Sequence, residues 1–317
     1  FDFFRNDITR LLGYASTSPL AIYETRPING GHYYRRGWEL MVDTKNLVGE
    51  FTWDTSLTFS KTNSFWKERL PNYDYQIYQQ RENEPMSAYY YYNVTGIINT
   101  DRSNMPESQK TLQAEAQLPG CPIIEDKNKD GKIDENDVYM KDNSPAIYVG
   151  IGNTFTYKRF EFSFFMYGQF GIQKYNIAYS AAQAGPLAVD YPENSNKFAY
   201  RLWNSQTNPN GSRPGLAIGK MGALPGNAWV NADRENASFM RMRNITLAYN
   251  LAGNILGSLQ RYVRNIKVYV DAQNPFILTK FQGFDPEIYT GGGGASGGSR
   301  GEYPQTRTFS LGANITF

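Results

Sequence analysis

One cysteine, Cys121, and one histidine, His32, stand in a chain of 317 residues. A lone cysteine leaves no intrachain disulfide to frame a fold, and a lone histidine excludes any centre that needs two. No apolar run approaches the ~18 residues of a transmembrane helix. Charge of one sign is lacking too: 32 Lys and Arg oppose 30 Asp and Glu. That balance argues against a nucleic-acid footprint or a polybasic membrane patch. An initiator Met and a signal-peptide core are missing from the start at Phe1, so a piece of a longer protein is expected. The mean hydropathy of -0.56 excludes helical spans but not a β-barrel, whose strands turn only alternate residues to lipid.

Aromatic residues are abundant, with 24 Tyr and 19 Phe, and period-two alternation is the dominant pattern. The final stretch sets Phe309, Leu311, Ala313, Ile315 and Phe317 against Thr308, Ser310, Gly312, Asn314 and Thr316, as a half-buried strand does. The same pattern predicts strands over 1–12, 35–46, 50–62, 146–157, 160–171, 238–250, 264–273 and 307–317. Several run to about twelve residues, against about 5–6 for an average strand. Short connections at 46–49, 158–159 and 251–263 alternate with long ones at 13–34, 63–145, 172–237 and 274–306. That sorting predicts an all-β, transmembrane antiparallel β-barrel with periplasmic turns and long extracellular loops; a soluble sandwich has no reason for it. Arg241 and Arg243 share the predicted apolar face of 238–250 with Ile245 and Leu247, which places them at the outer rim or against anionic headgroups. Loop 63–145 is read as largely structureless, apart from a β-like patch at 88–98.

Two loop features carry candidate chemistry. Asp126, Asn128, Asp130, Gly131, Lys132, Asp134 and Asp137 occupy positions 1, 3, 5, 6, 7, 9 and 12 of a calcium loop. Asp126, Asn128, Asp130, Asp134 and Asp137 would contribute side-chain oxygens and Lys132 its backbone carbonyl, while Gly131 makes the tight turn. Ca2+ is the expected ion, Mg2+ the alternative, and the role structural. The Asp at position 12 reaches less far than Glu, and Pro119 and Pro122 forbid the preceding helix of an EF-hand. A plain acidic turn is the alternative. The second feature is a set of loop aromatics: Tyr73, Tyr75, Tyr78, the run Tyr89–Tyr92, and Trp203, of which Tyr75, Tyr78, Tyr89, Tyr91 and Trp203 are the candidates for substrate. Their rings could stack on sugars and their hydroxyls bond to sugar or peptide groups, or they could pack the loops together. Gly291–Gly294 is a loop tip, since no Lys or helix follows to make a phosphate cradle.

Several stretches resemble, in order, the C-terminal part of SusC/RagA-type TonB-dependent outer-membrane transporters: Gly37–Glu39, Asp126–Asp134, the hairpin around Asn153–Lys158, Ala237–Tyr249, Val268–Asn274, Phe284–Glu287, Tyr303–Arg307 and the terminal Phe317. The resemblance implies that residues 1–317 are the C-terminal arc of a barrel of roughly 22 strands. It also implies a plug and a TonB-contacting segment encoded upstream, and a SusD-like surface lipoprotein as lid. Import of an oligosaccharide or oligopeptide across a Bacteroidetes-type outer membrane would follow. Two other classes compete. A barrel hydrolase would need His32 to find a Ser or carboxylate partner, and no spacing identifies one. A soluble calcium-dependent carbohydrate-binding sandwich conflicts with the strand lengths.

Overall fold

The computed structural model describes residues 1–16, 25–71, 75–79, 83–176, 197–215, 218, 221–222, 224–283, 285–287 and 305–317. Tyr73 and Gly291–Gly294 lie outside them. Eight long strands form one sheet: β1 (Asp2–Ser16), β2 (Thr25–Leu47), β3 (Phe51–Glu68), β4 (Ile147–Tyr157), β5 (Phe160–Phe170), β6 (Phe239–Ala252), β7 (Asn265–Gln273) and β8 (Thr308–Thr316). Each pairs antiparallel with its chain neighbour, so spatial order equals chain order. Ile277–Thr279 adds a short strand beside the start of β6.

Register makes the two faces explicit. One transverse row reads Trp53, Phe155, Phe162, Leu247, Val270, Leu311 across six strands. The next row reads Asp54, Thr154, Ser163, Thr246, Asp271, Ser310. The first face is greasy yet uncovered: Leu247, Val270 and Leu311 are 51%, 53% and 82% exposed. Large apolar side chains left bare in rows belong against lipid, and the polar rows against a lumen.

Three expectations change. β2 begins at Thr25 rather than 35, although Pro27, Gly30 and Gly31 interrupt its alternation. Pairing with β1, such as Leu12 with Asn29 and Tyr14 with Pro27, extends it where side-chain pattern does not. Secondly, Arg241 and Arg243 do not lie on the greasy face. The register between β5 and β6 slips at Arg243: Met242 faces Met166 and Asn244 faces Phe165. One inserted residue reverses face parity, so Arg241 pairs with Tyr167 on the polar face and is 3% exposed.

Thirdly, 63–145 is not structureless. Val94–Ile97 pairs with Pro122–Ile124, and Ala88–Tyr92 pairs with Tyr139–Asp142 and with Trp229–Val230. Beneath them Tyr92, Ile98, Cys121, Ile124 and Val138 are all at most 1% exposed, and Met221, Leu224 and Ala228 from the next long loop join the same core. Two loops thus share one hydrophobic core above the strand ends. Buried apolar surface is what fixes long connections that propensity leaves undetermined.

Candidate functional site in the loop layer

The acidic loop is anchored to this core by Ile133 and Val138 and held by its own side chains. Asp126 Oδ2 accepts from Gly131 N at 2.9 Å, Asn128 Oδ1 from Asp130 N at 3.1 Å, and Asp130 Oδ1 from Lys132 N at 3.1 Å. Gly131 has φ +87°, where a side chain would be strained. Asp134 caps the following turn by accepting from Asn136 N at 2.8 Å. Asp137 is fully buried; its two oxygens accept from Lys127 N at 2.8 Å and Asp134 N at 2.9 Å. Its carboxylate closes the twelve-residue loop end to end. Among the described residues no three His, Cys, Asp or Glu side chains converge on one point. Asp126 Oδ1 is buried without a hydrogen-bond partner, and a carboxylate oxygen is a ligand type that Ca2+ takes.

The aromatic candidates fall into different environments. Tyr78 is interior, 6% exposed, and its hydroxyl donates to Gly226 O at 2.6 Å. Tyr89 and Tyr91 belong to a ladder: the Tyr91 ring lies 5.3 Å from Tyr89 and 5.7 Å from Tyr139. The Arg234 guanidinium caps one end, 3.7 Å from the Tyr89 ring centre, and Lys127 the other, 4.7 Å from Tyr139. These rings therefore stand on edge with their faces engaged. Tyr75 is half-buried with the Arg69 guanidinium 5.1 Å from its ring centre. Trp203 packs against Gly120 and Gly215, where an added Cβ would stand 2.8 and 3.4 Å from its ring.

Sequence reasoning missed several residues here. Trp229, opposite Tyr91 in the parallel strand pair, is 57% exposed. Buried Asp233 and half-buried Glu235 share Arg213 at 3.8 and 3.3 Å. Buried Glu84 pairs with Arg69. None of them sits in a periodic segment, so no local signal marks them. On the sheet's polar face, an open cleft of about 480 Å3 is lined by Asp43, Lys45, Asp54, Ser56, Thr154 and Phe165 among others.

No protein-family model matches the chain. It is 27% identical over 297 residues to the TonB-dependent receptor SusC of Bacteroides thetaiotaomicron, covering 91% of this chain and 27% of SusC. It is 26% identical over 309 residues to the TonB-dependent receptor P3 of Formosa agariphila, covering 91% of this chain and 29% of P3. Among solved structures, the RagAB peptide importer in its closed-closed state matches with a TM-score of 0.71 and 17% identity, over 99% of this chain and 33% of that one. The RagAB peptide transporter matches with a TM-score of 0.71 and 19% identity, over 99% and 32%. The chain thus spans about three tenths of the length of the relatives it matches. Related in sequence over nine tenths of its length and in fold over nearly all of it, the chain is similar to a stretch of the barrel of SusC/RagA-type TonB-dependent receptors.

Proposed function

We propose that the intact protein imports a large nutrient, an oligopeptide or oligosaccharide, across the outer membrane in a TonB-dependent way. In this reading 1–317 supply barrel wall, and 63–145, 172–237 and 274–306 form extracellular loops. A SusD-like lipoprotein covers those loops, and the TonB complex engages a segment outside this chain. The observation that carries the reading is the pairing of uncovered apolar rows with polar rows across the sheet, joined to the resemblance to SusC and RagAB. No catalytic role is assigned to the chain.

Tyr75, Tyr89, Tyr91 and Trp203 offer ring edges and polar atoms to substrate or lid, and exposed Trp229 offers the broadest ring surface. Asp126, Asn128, Asp130, the Lys132 carbonyl, Asp134 and Asp137 would hold one Ca2+, or Mg2+. Its positive charge would offset the carboxylates and stiffen the loop. The orphaned Asp126 Oδ1 supports that assignment.

Purification of the full-length protein in mild detergent tests the import reading. Mass spectrometry is expected to find a co-purifying lipoprotein together with bound oligopeptides or oligosaccharides. Failure to recover either, with unimpaired growth of a deletion strain on peptides and glycans, would refute it. For the metal, hydrogen exchange in 126–137 should slow on adding Ca2+ to EDTA-treated protein, and Asp130→Ala should abolish the response. An unchanged wild type would sink the assignment.

A further inference from the structure

We propose that the outward face of β1–β3, just beyond the apolar band on the loop side, binds the phosphorylated headgroup of an outer-leaflet glycolipid. The registers define the place. On the outward face, Phe51, Trp53, Leu57 and Phe59 climb β3 beside Tyr157, Phe155, Ile151 and Val149 of β4. Phe51 to Phe59 spans about 26 Å of strand at ~3.3 Å per residue. Tilted by about 40°, that is roughly 20 Å of membrane normal, close to the ~25 Å apolar band of such barrels.

Continuing up the same face, the character changes abruptly. The next row is Phe3, Trp38, Lys61; then come Arg5, Arg36 and Asn63, and then Asp7, Tyr34 and Phe65. Trp38 stands where the aromatic girdle belongs. Above it, two rings make a floor for cations: Tyr34 and Phe65 are stacked at 5.3 Å. Arg5 lies 4.5 Å from the Tyr34 ring centre and Arg36 lies 5.2 Å from that of Phe65. Lys67 is 5.9 Å from Tyr34.

Charge is unbalanced here in a chain that is otherwise nearly neutral. Asp7 takes Arg5 at 3.0 Å, Lys67 at 2.9 Å and His32 at 3.1 Å. Glu68 stands opposite His32 at the far edge. Arg36 and Lys61 have no acidic partner among the described residues. Asp142 Oδ2 accepts from the Asn63 side-chain amide at 3.0 Å in the same row. Arg5, Arg36, Lys61 and Lys67 thus face Asp7, Glu68 and Asp142, leaving one positive charge in excess directly above a greasy wall.

A sugar phosphate carried on acyl chains meets both halves of that surface. The chains would lie along Leu57 and Phe59, and the phosphate would reach the arginines, whose planar forks suit phosphate oxygens. Free phosphate could satisfy the cations, but nothing on the wall would then require it. The side chains of Arg36 and Lys61 can reach the headgroup level while their stems stay on the apolar rows. This proposal rests on the barrel reading of the sheet and not on what is imported.

The test uses full-length protein in detergent, stripped of lipid and titrated with diphosphorylated lipid A, its dephosphorylated form, or inorganic phosphate. Native mass spectrometry reads bound adducts. We expect diphosphorylated lipid A to bind at least tenfold more tightly than the dephosphorylated form, with inorganic phosphate failing to compete at equal concentration. Arg36→Gln with Lys61→Gln should erase most of that preference. Equal binding of both lipids by wild type overturns the proposal without any variant. So does competition by phosphate alone, or a second copy of the protein occupying this face as a lipid-independent dimer. A protein that needs no detergent would instead sink the barrel reading.

Discussion

One terminal nitrogen of Arg241 donates to both carboxylate oxygens of Asp285, at 2.7 and 2.8 Å, and the two side chains are only 4% and 6% exposed. Around this pair, Arg241 also meets Glu287, and Arg243 donates to Glu287 at 2.9 Å and to the Tyr167 hydroxyl at 2.9 Å. Asp285 further accepts from Gln305 N at 3.2 Å. The cluster fastens 285–287 and the approach to β8 onto the polar face of β6. The bulge at Arg243 is what makes it possible.

Breaking a buried pair outright costs about 3–5 kcal/mol. Without Asp285, buried Arg241 keeps among the described residues only Glu287, shared with Arg243, so the loss should fall below that range. Asp285→Ala should therefore speed hydrogen exchange across 276–287 and expose it to protease. Arg241→Met with Asp285→Leu should recover much of the protection, because no charge is then left unpaired. Equal damage from the single and double variants would mean that packing, and not charge, holds the segment.

Burial pushes the Asp233 carboxyl up to about 6; Arg213 opposes the rise and Glu235 adds to it. The folded state then holds the proton more tightly than an unfolded chain, whose Asp titrates near ~3.9. Stability from this group is full below about pH 4 and falls as pH rises through 6. The ceiling is roughly 3 kcal/mol for a carboxyl raised from ~3.9 to about 6. Exchange protection of 231–236, corrected for intrinsic rates, should decline from pH 4.5 to pH 7. Asp233→Asn should flatten that decline.

Cys121 is fully buried, and burial raises its thiol to about 11. Thiolate attack should thus be negligible in the native protein at pH 8. Maleimide labelling should be slow natively and rapid in denaturant. Rapid native labelling would show that the shared loop core opens readily.

Gly226 sits at φ +64° with a prospective Cβ 2.7 Å from the Tyr78 ring. Gly226→Ala would be strained by backbone and by contact, at a cost of roughly 1–3 kcal/mol. Exchange should rise in both 75–79 and 224–230, since Tyr78 binds the Gly226 carbonyl. An effect confined to one of them would show that the two loops are not coupled through this contact.

The sequence by itself determined the long strands, their neighbour order and the greasy face, because period-two alternation and sorted connections are local, repeated signals. It also marked the acidic loop, whose oxygen ligands and glycine lie within twelve residues. Tertiary structure alone decided the rest. One bulge turned Arg241 from the greasy face to a buried ion pair, and a single inserted residue leaves no compositional trace. The loop core joins Tyr92 and Val138 to Met221 and Leu224, contacts far apart in sequence within segments that have no period. Tyr91 could be read as a free stacking ring until Tyr89 and Tyr139 were found on either side of it. Which face of a ring is occupied depends on strand partners that only the folded chain supplies.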